Sequence, residues 1–210
     1  LTVEHVVVAT DSMLIANAVA GEAVVWVDQD DDSWCGTQRI ARALVKLPDR
    51  FADVDVVVNW QADEPEIKSV DVDRLVRKTF QETPEDFEVM TAVAPAREAA
   101  EETGTVKAIF RRVDQLDQLG EIQDFRRVVP PGSHNFRPHV GIYAMRAEQL
   151  AQLIAMAPSV RSIGESLEQL TWADNGWRIG ALELDYEPLA INDAADYLRF
   201  TRKQIPYEDR

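Results

Sequence analysis

A sequence of 210 residues, 46% hydrophobic and 28% charged, has the length and composition of a soluble globular chain able to bury a full core. Its 22 Lys and Arg against 37 Asp and Glu leave a formal charge of −15, a field that repels phosphate backbones and anionic lipid unless a basic pocket is focused locally. No apolar run approaches the roughly 20 residues that cross a bilayer, and Leu1-Thr-Val-Glu-His5 shows no signal-peptide pattern. The expectation is a cytoplasmic protein with no nucleic acid and no membrane among its partners.

The single cysteine, Cys35, excludes an intramolecular disulfide and a multi-cysteine zinc site. Any metal must then rest on oxygen ligands, which favours Mg²⁺.

In chain order, the apolar run at residues 6–10 predicts a strand, Asp11-Ser12 a turn, and residues 13–20 a helix. A second strand follows at 23–27, then an acidic loop at 28–33, then a helix beginning near Thr37. The third strand, 54–60, is broken by Ala62-Asp-Glu-Pro65, after which Ser69 caps a helix carrying Val70, Leu75, Val76 and Phe80 on one side. Continuous apolar strands alternating with helices predict an α/β fold with a parallel sheet covered on both faces.

From Glu88 the rhythm changes. Strands at 88–94, 105–112, 122–129 and 139–145 have no long helices between them, so residues 105–146 predict a mixed or antiparallel strand-rich extension within one domain spanning 1–210. The stretch Pro130-Pro-Gly-Ser-His-Asn-Phe-Arg-Pro138 reads as a lid or interface loop, and the apolar strand after it as part of a dimer interface. Helices at 147–155 and 162–174, a strand at 179–185 and a helix at 193–203 complete the domain.

Ligands of open α/β sheets sit at the carboxyl ends of strands, where three polar clusters fall: Thr10-Asp11, Cys35-Gly-Thr-Gln-Arg39 and Gln61-Ala-Asp-Glu-Pro65. Asp63, at a strand end before a proline-fixed turn, is the candidate ligand for Mg²⁺ against substrate phosphates, or else a solvated turn aspartate. Gly36 and Thr37 offer backbone N–H groups and a hydroxyl to a nucleotide, or simply cap a helix. Lys107, Arg111, Arg112, Arg126, Arg127 and Arg137 gather in the second half, as an anion-binding wall or as partners of surface carboxylates. His139 is a ligand contact or a packed strand residue, and the five tryptophans are core or rim residues. Glu165 and Glu168, three apart, share a helix face that is either functional or solvated.

Taken in order, Thr10-Asp11, Cys35-Gly-Thr-Gln-Arg39, Val58-Asn-Trp-Gln-Ala-Asp-Glu-Pro65, Val106-Lys107, Asp124-Phe-Arg-Arg127, His139-Val-Gly-Ile-Tyr143 and Glu165-Ser-Leu-Glu-Gln-Leu170 resemble the 3-deoxy-manno-octulosonate (Kdo) cytidylyltransferases over nearly the whole chain. The resemblance implies a nucleotidyltransferase-type, Rossmann-like mixed sheet flanked by helices, with a strand-rich dimerisation extension. It implies a homodimer that uses Mg²⁺ to couple CTP to Kdo. By the same resemblance Asp63 is a Mg²⁺ ligand, Gln61 contacts the sugar acid, and Gly36, Thr37 and Arg39 lie by the cytidine. Arg127 is the partner of the Kdo carboxylate, and His139, Tyr143, Glu165, Glu168 and Gln169 line the sugar pocket.

The sequence departs from the family pattern at several of these positions. The family opens with a strand and a cationic loop that grips the triphosphate, and no such block precedes residues 6–10 here. A chain without that loop is expected not to turn over CTP unaided. A second metal carboxylate of the family aligns with Asn192, and Asp193 stands one residue late. Two further readings follow: a non-catalytic homologue serving as a binding or assembly subunit, paired with a chain that supplies the strand and loop, and a cytidylyltransferase for another sugar acid of the sialic acid type.

Overall fold

The computed structural model describes residues 3–47, 53–80, 87–95, 104–114, 118–129 and 135–204. Two parallel strands, β1 (Val7–Thr10) and β2 (Val24–Val27), pair along their length and are joined by the short helix α1 (Met13–Ala18). Ser12 caps α1, its hydroxyl accepting from the Ile15 N–H, and Gly21 takes the positive φ that turns the chain back toward β2. Helix α2 (Gly36–Lys46) follows, burying Thr37, Ala41 and Ala43.

The main sheet has six strands: β3 (Val56–Trp60), β4 (Val89–Val93), β5 (Lys107–Asp114), β6 (Leu119–Arg126), β7 (Phe136–Arg146) and β8 (Ile179–Glu183), in the order β3-β7-β4-β8-β6-β5. Helices α3 (Ser69–Phe80), α4 (Ala147–Ala155), α5 (Val160–Glu165), α6 (Gln169–Asp174) and α7 (Ala194–Gln204) complete the described fold.

The mixed sheet implied by the family resemblance is the one observed, and the parallel sheet expected of the first three strands holds for β1 and β2 but not for β3. Only β4 and β8 pair in parallel within the six strands, and every other ladder is antiparallel. The cause is β7, whose eleven residues run between β3 and β4 in the opposite direction to both. Its first residues also pair with β5, so the ladders β7–β4–β8–β6–β5–β7 close into a circuit.

The strand expected at 139–145 is therefore a central strand. Val140 to Met145 are buried within the chain itself, which leaves their apolar character no need of a partner. Successive residues of β7 serve opposite faces. Tyr143 and Met145 pack with Val57, Phe125, Leu170 and Trp172, while Val140, Ile142 and Ala144 pack with Ile67, Val72, Leu75 and Leu182.

The single helix expected over 162–174 is two helices. Ser166 takes the left-handed conformation at φ 53°, ends α5, and sends the chain into α6 at a new angle. Of the loop expected at 130–138, residues 130–134 lie outside the described residues, and Phe136 to Pro138 belong to β7.

Candidate active site

A cleft of about 710 Å³ opens beyond the carboxyl end of β3. Its walls come from the start of α2, the turn after β3, the approaches to β5, the end of β6, the middle of β7, the α5–α6 corner and the strand-free segment before α7. Gln61, Asp63, Arg127, His139, Tyr143, Glu168, Gln169, Gly36 and Asn192 all line it, and these residues are up to 156 positions apart in the chain.

The turn after β3 is anchored to β7 at one glycine. The Gln61 N–H donates to the Gly141 carbonyl at 3.0 Å, and the Gly141 N–H donates to Glu64 Oε1 at 2.9 Å. A side chain at Gly141 would run into the Gln61 amide oxygen and displace that amide from its place in the cleft wall. Trp60 adds its indole N–H to the Glu64 carbonyl at 2.8 Å. Asp63 thereby stands exposed at the tip of a fixed turn, while Glu64 points inward and is buried. Burial pushes the Glu64 carboxyl up to about 7, against the Gly141 N–H and with the Asp63 charge, and its Oε2 has no hydrogen-bond partner among the described residues.

Asn192 reaches the same place from the other end of the chain. The Ile191 N–H donates to the Asp63 carbonyl at 2.8 Å and the Leu189 N–H to Glu66 Oε2 at 2.9 Å, which lays residues 189–192 alongside the turn. Lys203 holds Glu66 from α7 at 2.9 Å. Asp193 does different work: its Oδ1 accepts from the Ala195 and Asp196 N–H groups and caps α7, and it does not line the cleft. No group of three His, Cys, Asp or Glu poised for a metal occurs among the described residues. Asp63 with the Asn192 amide instead offers the sparse oxygen set that suits Mg²⁺, which takes its remaining ligands from water and phosphate.

At the start of α2, Gly36 faces the cleft and Thr37 lies beneath it. The Thr37 N–H donates to Glu168 Oε2 at 3.1 Å, and its hydroxyl accepts from Asn59 Nδ2 at 3.0 Å. Glu168 thus places its carboxylate at a helix N-terminus while its Oε1 remains without a hydrogen-bond partner among the described residues. Burial and that same carboxylate push the Cys35 thiol up, so it is a neutral lining group rather than a nucleophile. Arg39 turns away from the cleft to Asp31 at 2.5 Å and Asp11 at 3.6 Å.

The expected shared face of Glu165 and Glu168 is absent because Ser166 separates them. Glu168 is buried in the cleft wall, whereas Glu165 is exposed and contributes only its carbonyl, which accepts from Arg127 Nε at 2.8 Å. Arg127 also donates to the Ser166 carbonyl at 3.4 Å, so it tethers the α5–α6 corner.

Of the six clustered cations, Arg127 is the one that lines the cleft among the described residues. Arg111 pairs with Glu121, Arg126 with Asp124, and Arg112 and Arg137 with Glu183. Lys107 is buried, its ammonium donating to the carbonyls of Thr105 and Arg127 at 2.7 and 3.0 Å. It fixes two pieces of the cleft wall rather than facing a ligand.

His139 sits between Phe125 and Tyr143, with ring centroids 5.2 and 5.5 Å away, and Trp172 meets Tyr143 edge-on at 4.9 Å. Burial pulls the His139 imidazole down to about 3, so it is neutral at physiological pH. Burial, reinforced by Glu168 and Glu64, raises the Tyr143 phenol well above its ordinary value and keeps it a donor. Sequence reasoning gave Gly141 and Thr91 no role of their own, and Trp34, expected as a core or rim residue, stands on the rim. The string His139-Val-Gly-Ile-Tyr143 contains the first, but nothing in it tells that a turn eighty residues earlier needs the space.

Residues 1–179 match the family profile described as Cytidylyltransferase. The chain is 33% identical over 216 residues to a 3-deoxy-manno-octulosonate cytidylyltransferase of Pelodictyon phaeoclathratiforme, covering 97% of this chain and 82% of the relative. It is 36% identical over 201 residues to the protein of the same name from Afipia carboxidovorans, covering 95% and 79%. Among solved structures, a CMP:2-keto-3-deoxy-manno-octonic acid synthetase complexed with CTP superposes with a TM-score of 0.76 at 28% identity, over 96% of this chain and 80% of that one. A UDP-glucose pyrophosphorylase complexed with UDP-glucose, at 13% identity and a TM-score of 0.58 over 96% and 75%, shares the fold. With a profile spanning most of its length and relatives aligned over nearly all of it, the chain belongs to the 3-deoxy-manno-octulosonate cytidylyltransferase family.

Proposed function

We propose that this protein couples CTP to Kdo, giving CMP-Kdo and pyrophosphate, with Mg²⁺ as its metal. The observation that carries the reading is the convergence of Gln61, Asp63, Arg127, His139, Tyr143, Glu168, Gln169 and Asn192 on one cleft in a member of this family. Arg127 supplies the cation for the sugar-acid carboxylate, from N–H groups beyond those spent on the α5–α6 corner. His139, Tyr143, Gln169 and the open Glu168 oxygen offer uncharged and charged partners for hydroxyls. Gly36, at the start of α2, presents backbone to the nucleotide. Asp63 and Asn192 would hold Mg²⁺. The ion supplies positive charge that offsets the charge developing at the α-phosphate when the anomeric hydroxyl attacks in line and pyrophosphate leaves.

Arg127 faces Asp63, Glu64 and Glu168 across the cleft as the one Arg or Lys of its lining among the described residues. A triphosphate needs more cationic charge than that, so the reading includes a further segment, from a partner chain or elsewhere, delivered to the cleft. It also includes a homodimer, which rests on the family resemblance, and a cytoplasmic setting, where CTP is made. No described helix is long and apolar enough to cross a membrane.

The test is pyrophosphate release from CTP and Kdo with Mg²⁺. Release that requires CTP, Kdo and Mg²⁺ together is the expected result. Release with a sialic acid and not with Kdo would move the substrate assignment. No release with either sugar acid would favour a non-catalytic binding or assembly subunit.

A further inference from the structure

Thr91 lies in the middle of β4, completely buried, beneath the His139 ring. Its hydroxyl has one proton to give and three groups around it: the Ile142 carbonyl at 2.7 Å, His139 Nε2 at 3.0 Å and the Val140 carbonyl at 3.4 Å. A carbonyl can only accept, and the closer carbonyl takes the proton. The hydroxyl oxygen can then meet His139 Nε2 only as an acceptor, which requires Nε2 to carry a hydrogen.

We infer that Thr91 is a positioning residue that locks His139 in its Nε2–H form, so that the histidine presents Nδ1 to the cleft as an uncharged acceptor for a sugar-acid hydroxyl. This rests on the reading of the cleft as a sugar-acid site. Nδ1 has no hydrogen-bond partner among the described residues, and the ring lines the cleft. Phe125 and Tyr143 flank the ring and hold its plane. A second proton on the ring is opposed by burial.

Recognition is thereby divided by charge. Arg127 is the cation for a carboxylate, and His139, being neutral with its bare nitrogen outward, selects a donor. A histidine in the opposite tautomer would turn an N–H toward the cleft and reject the same hydroxyl orientation.

The test begins without substrate. Nitrogen-15 correlation spectra of the three histidines, with the His139 signals identified by their loss in His139→Gln, should show one protonated and one bare nitrogen, the proton on Nε2. Adding Kdo should move the Nδ1 resonance toward that of a hydrogen-bonded acceptor. Thr91→Val removes the acceptor while keeping the branched shape, and should let the tautomers mix and raise the KM for Kdo about tenfold. The KM for CTP should stay within about twofold and Thr91→Ser should restore the parent values, which a general packing defect would not allow. A wild-type proton on Nδ1, or two ring protons at neutral pH, overturns the inference even if Thr91→Val fails to fold. So does an Nε2–H histidine whose Nδ1 signal ignores bound Kdo, or a Thr91→Val enzyme with unchanged KM. Failure of Kdo to bind at all refutes the activity assigned above, a result separable from the tautomer read in the free protein.

Discussion

Asp63 owes its position to neighbours that hold its turn: Gly141, whose N–H and carbonyl bond the turn to β7, and Glu66, which accepts from Leu189 and brings Asn192 beside it. Because Asp63 is exposed at the tip, Asp63→Asn should leave the circular dichroism spectrum and thermal midpoint unchanged. It should lower kcat by about a hundredfold or more through lost charge stabilisation. Unchanged activity would place the metal elsewhere. The companion substitution Asn192→Asp adds a carboxylate to the same set and should lower the Mg²⁺ concentration needed for half-maximal rate. Glu64, next to Asp63, makes a prediction about stability. Its carboxyl titrates near 7 in the fold against an ordinary 4.5, so between these values the folded chain keeps a proton that the unfolded chain has lost. Stability from this group is therefore full below about 4.5, falls as pH rises toward 7, and stays lost above it. Glu64→Gln retains an acceptor for the Gly141 N–H and carries no charge. It should raise the unfolding free energy near pH 8 by about 1–3 kcal/mol and change little near pH 4. Urea denaturation in metal-free buffer at the two pH values measures this, and equal effects at both would show that Glu64 is not held protonated.

The corner between α5 and α6 shows how an element can be assembled from opposed local preferences. Helical periodicity runs through residues 162–174, yet Ser166 breaks it, and Arg127 compensates by donating to the carbonyls that the break leaves open. Glu168 then enters the cleft wall and meets the N-terminus of α2, a contact between residues 131 positions apart. Arg127→Lys keeps the charge but loses the planar fork that serves both the corner and a carboxylate. We expect a rise of about tenfold or more in the KM for Kdo, with faster amide exchange over 160–168. Normal exchange and kinetics would mean that the corner holds itself. Ser166 as a left-handed cap was not legible in the sequence, because serine rarely signals that conformation and no glycine marks the site.

At the scale of the whole molecule, β7 decides the architecture. Its length lets it pair with β3, β4 and β5 together, which buries the strand that the sequence suggested as a dimer surface. A homodimer therefore has to be built on other surfaces. Light scattering at micromolar concentration should report twice the chain mass, and a monomer persisting at higher concentration would remove the dimer from the proposed function. The charge of −15 bears on the same question, since like-charged copies repel and association should strengthen with salt.

Local pattern was enough to locate the strands, most of the helices and the Gln61-Ala-Asp-Glu-Pro65 turn, since apolar periodicity, Ser12 and the proline act over a few residues. Residue order along the chain also carried the resemblance to the family, through Gln61, Asp63, Arg127, His139 and Tyr143. The change of rhythm after Glu88 carried the antiparallel pairing of β5 with β6 and β7, but the direction of β7 beside β3 was beyond its reach. An apolar strand looks the same whichever way its neighbour runs, and only folding placed β7 antiparallel between β3 and β4. The same limit applied to the site. Whether a charged residue faces a cleft or a partner depends on what the fold brings within hydrogen-bonding distance. Thus Arg39 and Lys107 were withdrawn to Asp31 and to backbone carbonyls, while Thr91, unmarked in the sequence, came to rest under His139.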